Sequence, residues 1–132
     1  MNSANKKLEE LIKYKNFNKH QMEQIRWGLK NGLSTEEIKL FANENFNSEQ
    51  MYEIRCGLQY GLSTEQVKTY TNKKFNWEQM SEIRVGLHRG LTLEQVKLYA
   101  DPKFDWKQMY LIRKVLENKD EIKNVIKQAL EM

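Results

Sequence analysis

Four arginines recur at a spacing of 29 residues, and their side chains are well suited to binding an anion. They are Arg26, Arg55, Arg84 and Arg113. A guanidinium group binds phosphate or carboxylate oxygens through paired hydrogen bonds. One such group per repeat predicts an arginine ladder for a nucleic acid or a nucleotide. The structural alternative is a pair with a glutamate, or with free carbonyl groups at a helix end, between neighbouring repeats. Their invariance from repeat to repeat favours the structural alternative.

Other residue types with catalytic potential are scattered through the sequence. His20 and His88 occupy different positions of the repeat, and neither forms a metal-ligand spacing with Cys56, the only cysteine. Cys56 is expected on an exposed face, but no histidine is placed by the sequence to activate its thiol. No HExxH, paired CxxC, phosphate loop or nucleophile elbow occurs. We therefore predict a protein that is not an enzyme and that uses no metal ion or cofactor.

The arginines belong to a 29-residue unit that fills nearly the whole chain. Phe17, Phe46, Phe75 and Phe104 open its four copies, which begin FNKHQMEQIRWGL, FNSEQMYEIRCGL, FNWEQMSEIRVGL and FDWKQMYLIRKVL. Self-similarity at this period is the signature of stacked structural repeats. Each unit of such a chain contacts mainly its neighbours.

One copy contains the signals for two helices. Asn18 and Gln21 form a capping box, and apolar residues follow on one helical stripe. Gly32 supplies the left-handed residue that ends the helix, and Ser34 with Glu37 begins a second, shorter helix. Each copy is therefore predicted to be a longer helix, a tight glycine turn and a shorter helix. Gly28 and its copies, inside the longer helix, predict a close approach of two helices.

The predicted fold is all-α: a right-handed-type α-solenoid of 29-residue helix-turn-helix repeats in a single domain, residues 1–132. Residues 1–16 form an N-terminal capping helix, with Leu8, Leu11, Ile12 and Tyr14 facing inward. The repeats span 17–45, 46–74 and 75–103, and a degenerate C-terminal capping repeat spans 104–132. In that fourth copy Val115 and Lys119 replace the two glycines. Asp120 is a candidate for a new helix cap, and one continuous helix from Asp105 is the alternative.

Positions that vary between repeats are where a partner could distinguish one repeat from the next. A helical wheel places these positions opposite the apolar stripe of the longer helices, and aromatic residues and arginine are common anchors of protein interfaces. We predict a partner-binding ridge, with the alternative that its aromatic residues pack between repeats. Its candidate residues are Trp27, Asn31, Tyr52, Cys56, Tyr60, Arg89 and Tyr110.

Composition favours a helical chain with a moderate charge. The sequence has 132 residues, 39% hydrophobic and 30% charged, with 22 basic against 18 acidic residues and a net charge of +4. This charge is low for a nucleic-acid-binding protein, in which basic residues cluster on one face. The first ten residues are too polar for a signal peptide, and no apolar run reaches the length of a membrane span. These features predict a cytoplasmic protein without membrane contact.

The string F-[ND]-x-x-Q-M-x-x-I-R-x-G-L, followed by x-x-G-L-[ST], resembles tandem repeats found in proteins of Firmicutes phages and mobile genetic elements. The resemblance covers residues 17 to about 117, although the fourth copy lacks both glycines. It implies a mobile-element origin, a bacterial host and a protein partner. By analogy with small phage proteins, that partner would be a host defence nuclease, inhibited in an anti-CRISPR-like manner. Nucleic-acid binding is the alternative, and pairing of two chains through Val115, Leu116 and the last helix is left open.

Overall fold

A computed structural model describes residues 3–132, and every regular element in this range is a helix. The all-α class expected from the sequence is therefore confirmed. Four longer helices alternate with three short ones after an N-terminal helix. The elements are α1 (Ser3–Ile12), α2 (Lys19–Lys30), α3 (Thr35–Ile38), α4 (Ser48–Gln59), α5 (Thr64–Lys68), α6 (Trp77–His88), α7 (Leu93–Lys97) and α8 (Trp106–Leu130).

Side-chain caps begin each helix from α2 onward, as the sequence predicts. At α2 the Asn18 side chain accepts a hydrogen bond from the Gln21 backbone N–H, and Gln21 Oε1 accepts one from the Asn18 N–H. The same reciprocal capping box begins α3 through α8. These caps satisfy backbone donors that a helix start leaves free.

The capping glutamines also connect one unit to the next. Gln21 Nε2 donates to the backbone oxygen of Phe46, 2.6 Å away. Gln50 and Gln79 repeat this bond to the backbone oxygens of Phe75 and Phe104, each again at 2.6 Å. One invariant side chain therefore caps its own helix and holds the start of the following unit.

The longer helices pack against one another in chain order, with α4 between α2 and α6, and α6 between α4 and α8. Each short helix packs against the longer helix before it, and α1 packs against α2. Between these helices lies the core, which contains the fully buried Ile25, Ile54 and Ile83 of the three units. It also contains their aromatic residues Phe41, Tyr70 and Tyr99.

The fourth unit forms one continuous helix of 25 residues rather than a helical pair. Gly32, Gly61 and Gly90 end the earlier longer helices at φ values of +85°, +101° and +95°. Lysine stands at the equivalent position 119, where that conformation is unfavourable for a residue with a Cβ atom. The helix therefore continues through the place where the chain turned in the other units.

Two details expected from the sequence are wrong. Asp120 does not cap a new helix, because it lies inside α8, where its carboxylate accepts a hydrogen bond from Gln95 Nε2 at 3.1 Å. Tyr14 does not face inward, since it follows the end of α1 at a φ of +64° and is 92% exposed. Leu11 is buried, and Leu8 and Ile12 pack against the core as expected.

Candidate functional site

Three of the four invariant arginines connect neighbouring longer helices. The Nε atom of Arg55 donates to Gln24 Oε1 at 2.9 Å, and that of Arg84 donates to Glu53 Oε2 at 2.7 Å. Arg113 Nε donates to Glu82 Oε2 at 2.9 Å. Each acceptor lies 31 residues before its arginine, so the same bond joins α2 to α4, α4 to α6 and α6 to α8.

Further contacts occupy these guanidinium groups. Arg55 Nη1 donates to Gln59 and Arg113 Nη1 donates to Glu117, each at 2.6 Å. Both arginines are buried, and Glu53, which pairs with Arg84, is only 4% exposed. The pairs therefore lie inside the protein, which is the structural alternative that the invariance of these arginines favours.

Arg26 differs from the other three arginines because no earlier repeat precedes it. Its side chain is exposed, and it lies with Glu23, Trp27 and Lys30 around a shallow depression on α2. An anion could reach this guanidinium, whereas the polar contacts of the other three are made within the protein.

Several aromatic side chains are exposed on the longer helices. Trp27, Tyr52 and Tyr110 of the predicted ridge are 49%, 44% and 41% exposed. A cationic group lies over each ring: Lys30 Nζ is 5.0 Å from Trp27, and the guanidinium carbons of Arg55 and Arg113 lie just over 5 Å from the two tyrosines. These contacts hold the aromatic rings on the surface in defined positions.

Two of these rings, on adjacent helices, line a groove. Tyr52 of α4 and Trp77 of α6 line an open groove of about 320 Å³ together with polar side chains. The other lining residues are Gln24, Ser48, Glu49 and Glu53. The groove combines an aromatic lining with the exposed carboxylate of Glu49. Glu53, which also lines it, is the partner of Arg84.

Trp77 and Trp106 are absent from the candidate set drawn from the sequence, although both are exposed. They occupy the same position of the repeat, at the first turn of α6 and of α8. A wheel drawn for one helix places this position away from the ridge. The recurrence of tryptophan 29 residues apart was the available signal.

The remaining candidates lie at the other end of the longer helices. The C-cap residues that directly follow α2, α4 and α6 are Asn31, Tyr60 and Arg89. Asn31 Nδ2 donates to the backbone oxygen of Trp27 at 2.7 Å, and Arg89 Nη1 lies 3.4 Å from Glu117 Oε2. The structure therefore separates the candidates of the predicted ridge into exposed aromatic residues of the longer helices, Trp27, Tyr52 and Tyr110, and a row of residues at the helix ends. We use the term aromatic surface for these three residues together with Trp77 and Trp106.

Cys56 contradicts the expectation of an exposed thiol. It is 4% exposed, and a side-chain hydrogen bond to it raises the pKa of the Tyr52 hydroxyl. The physical reason is that the α4 helix has a neighbour on each side, so a position that faces outward on a single helix is covered in the layer. A buried thiol has no contact surface to offer a partner.

Among residues 3–132, no cluster of three or more His, Cys, Asp or Glu side chains is arranged to hold a metal ion. In the same range, no helix combines the length and apolar character that crossing a membrane requires. Comparisons with family models, curated proteins and solved structures gave no match to this chain.

Proposed function

We propose that this chain is a non-enzymatic protein-binding module that contacts its partner through the aromatic surface. In this proposal the packed units form a right-handed-type α-solenoid of 29-residue repeats with capping helices at both ends. Such arrays offer long surfaces to partners. The observation that carries the proposal is the groove between α4 and α6, where the aromatic side chains of Tyr52 and Trp77 remain exposed.

The arginine contacts also support protein binding over the anion ladder. Trp and Tyr are enriched among the residues that dominate binding energies, and they lose little conformational entropy when they are buried at an interface. By contrast, the Nε donors of Arg55, Arg84 and Arg113 are already occupied by bonds within the protein. Of the ladder, only Arg26 offers an exposed guanidinium without such a bond among the described residues.

Capture from a bacterial lysate, read by mass spectrometry, tests this proposal. The wild-type chain should retain one protein that a Tyr52→Ala/Trp77→Ala variant loses. A Tyr14→Ala/Leu98→Ala variant is the matched control, because it removes two exposed apolar side chains elsewhere. Loss in the control, or retention by the groove variant, would contradict the assignment of the surface.

Salt dependence separates protein binding from nucleic-acid binding. Phosphate contacts weaken log-linearly as salt rises, with a slope close to one per contact. We expect only weak binding of random-sequence DNA or RNA at physiological salt. Tight binding of either, with a slope of several contacts that falls when Arg26 is changed to Ala, would support the alternative function.

The resemblance to mobile-element repeats suggests a more specific partner, a nuclease of a bacterial defence system in the cytoplasm of the host. In this version the chain blocks the nuclease by binding it. Expression of the chain should then restore plasmid transformation in cells whose CRISPR nuclease cleaves that plasmid. Restoration should disappear in the Tyr52→Ala/Trp77→Ala variant. If the tested nucleases still prevent plasmid transformation when the chain is expressed, the proposal of a nuclease inhibitor is wrong. The more general proposal of a protein-binding module would still stand.

A further inference from the structure

The last helix carries an apolar stripe that nothing in the described chain covers. Leu111, Val115, Ile122 and Val125 are 63%, 57%, 50% and 58% exposed, and Asn118 and Ala129 are exposed on the same line. Their spacing alternates between four and three residues, which is the spacing of the seam between two paired helices. Leu8 and Leu11 of α1, by comparison, pack against the core.

This stripe continues a face that already binds a helix elsewhere in the molecule. Leu111 and Val115 hold the repeat positions of Glu82 and Gly86 in α6. In α6 that face is covered by two helices, the short α7 and the longer α8. Glu82 accepts from Arg113 of α8, and the hydroxyl of Tyr99, just after α7, occupies the space that a Cβ atom on Gly86 would need. The same side of α8 is therefore shaped by the repeat to receive a helix.

The stripe is a large apolar surface for a protein of this size. Together with the neighbouring Ile126, it presents five large apolar side chains on one side of α8, each exposed by at least half. Monomeric proteins rarely expose contiguous apolar patches of more than a few hundred Å². The protein therefore has a surface whose burial would be favourable.

We propose that a second copy of this chain covers the stripe, with the two α8 helices paired antiparallel. In the register that places Leu111 opposite Ile122, Lys114 faces the second copy's Glu121 on both sides of the two-fold axis. The two Lys119 side chains lie on the other edge of the seam, offset from each other by five residues or about 7.5 Å along the helices. A parallel pair would instead oppose Lys114 and Lys119 twice, without an attractive pair, so charge favours the antiparallel arrangement.

A second copy of the same chain fits this surface better than an unrelated helix, because two copies can cover each other's stripes completely. An antiparallel pair has two-fold symmetry, so both stripes are buried at once and neither remains open to further association. Lys114 is half exposed, and its ion pair with Glu117 of the same helix is long, at 3.8 Å. Because such a surface pair contributes little stability, the Lys114 side chain can turn to the second copy at little cost. The aromatic surface is not required for this pairing, so the two proposals can fail separately.

Sedimentation of the 132-residue chain between about 1 and 100 µM tests the pairing directly. We expect a reversible monomer–dimer equilibrium in this range. Ile122→Glu should raise the dissociation constant at least about 100-fold, because two buried isoleucines become two carboxylates facing an apolar seam. Asn124→Glu is the matched control, since it adds the same charge to α8 outside the stripe. A monomer throughout, or a dimer that tolerates Ile122→Glu, would overturn the proposal.

Cysteine cross-linking distinguishes the orientation of the two helices. Chains carrying Leu111→Cys and chains carrying Ile122→Cys should form a mixed disulfide when combined. Neither variant alone should form the disulfide efficiently. A disulfide from Ile122→Cys alone would show a parallel pair and would refute the antiparallel proposal. The native Cys56 is buried in both chains and provides no competing surface thiol.

Discussion

At the scale of single residues, one repeated contact explains three of the four invariant arginines. Each of Arg55, Arg84 and Arg113 reaches back 31 residues to a carboxylate or amide on the preceding longer helix. The sequence favours this structural role because the same arginine recurs in every repeat, as expected for a contact that recurs between each pair of neighbouring longer helices. The acceptor is glutamate in two units and glutamine in the first, so hydrogen-bond geometry rather than charge is the shared requirement.

Removing the acceptor in the middle of the molecule should therefore be costly. Glu53→Ala leaves the partly buried Arg84 without its partner, and we expect a loss of about 3 kcal/mol in the free energy of unfolding. Glu53→Gln should cost only about 1 kcal/mol, because Gln24 makes the equivalent bond to Arg55. Urea unfolding measures both, with the exposed Glu49→Ala as the control. Equal losses for Ala and Gln would contradict this account.

The buried tyrosines should make the fold sensitive to alkaline pH. Burial raises the pKa of Tyr70 and of Tyr99 above the ordinary value of 10.0. The unfolded state therefore releases these protons first, so their contribution to stability is complete below about pH 10 and decreases above it. The slope can reach about 1.4 kcal/mol per pH unit for each tyrosine.

Urea unfolding between pH 8 and 11 measures this effect. The Tyr70→Phe and Tyr99→Phe variants should each reduce the slope above pH 10, whereas Tyr60→Phe, at an exposed site, should leave it unchanged. Tyr70→Phe should also lower stability at pH 8, because the hydroxyl donates to the backbone oxygen of Glu53 at 2.9 Å. If the free energy of unfolding still decreases as steeply above pH 10 in both variants, the alkaline effect comes from groups other than these tyrosines.

At the scale of the helices, the glycines inside the longer helices mark where a short helix approaches. The Tyr70 hydroxyl occupies the space that a Cβ atom on Gly57 would need, and Tyr99 relates to Gly86 in the same way. Phe41 lies at the equivalent place in the first unit, where a Cβ atom on Gly28 would be 2.9 Å from its Cζ. The sequence predicts close approach at these positions, but not that a tyrosine hydroxyl fills the space.

Gly57→Ala should consequently destabilise the protein although alanine favours helices. We expect a net loss of about 2 kcal/mol, since overpacking a tight core outweighs a gain of about 1 kcal/mol in helix propensity. Adding Tyr70→Phe removes the blocking hydroxyl, so the double variant should lose less than the two single losses combined. A double-mutant cycle of urea unfolding free energies measures the coupling. Strict additivity would show that the hydroxyl is not the obstacle.

Helix boundaries could be read from the sequence, while the covering of one helix by the next could not. Caps and positive-φ glycines act within a few residues, so Asn18, Ser34 and Gly32 predict where helices begin and end. The sequence predicts an exposed Cys56 because a helical wheel describes one helix without its neighbours. Gln21 is predictable as a cap, but its bond to Phe46 depends on how two units pack. Such contacts require the distance between helices, which no local pattern contains.

At the scale of the whole molecule, a chain of units that contact mainly their neighbours should be most stable in the middle. The α4 and α6 helices have a longer helix on each side, whereas α1 packs mainly against α2 and residues 121–130 of α8 are exposed throughout. Local opening then costs least at the two ends. A globular domain with one shared core would instead open as a unit.

Native-state hydrogen exchange measures this difference residue by residue. Backbone amides of α4 and α6 should exchange only through global unfolding, and those of α1 and of residues 121–130 should exchange far faster in dilute solution. If two chains pair through α8, raising the protein concentration should slow exchange in residues 121–130, because pairing covers this part of the helix. The exchange rates of α1 should not change. Ile122→Glu should abolish this concentration dependence without altering α4 or α6. Uniform protection from α1 to α8 would contradict the nearest-neighbour description of the stack.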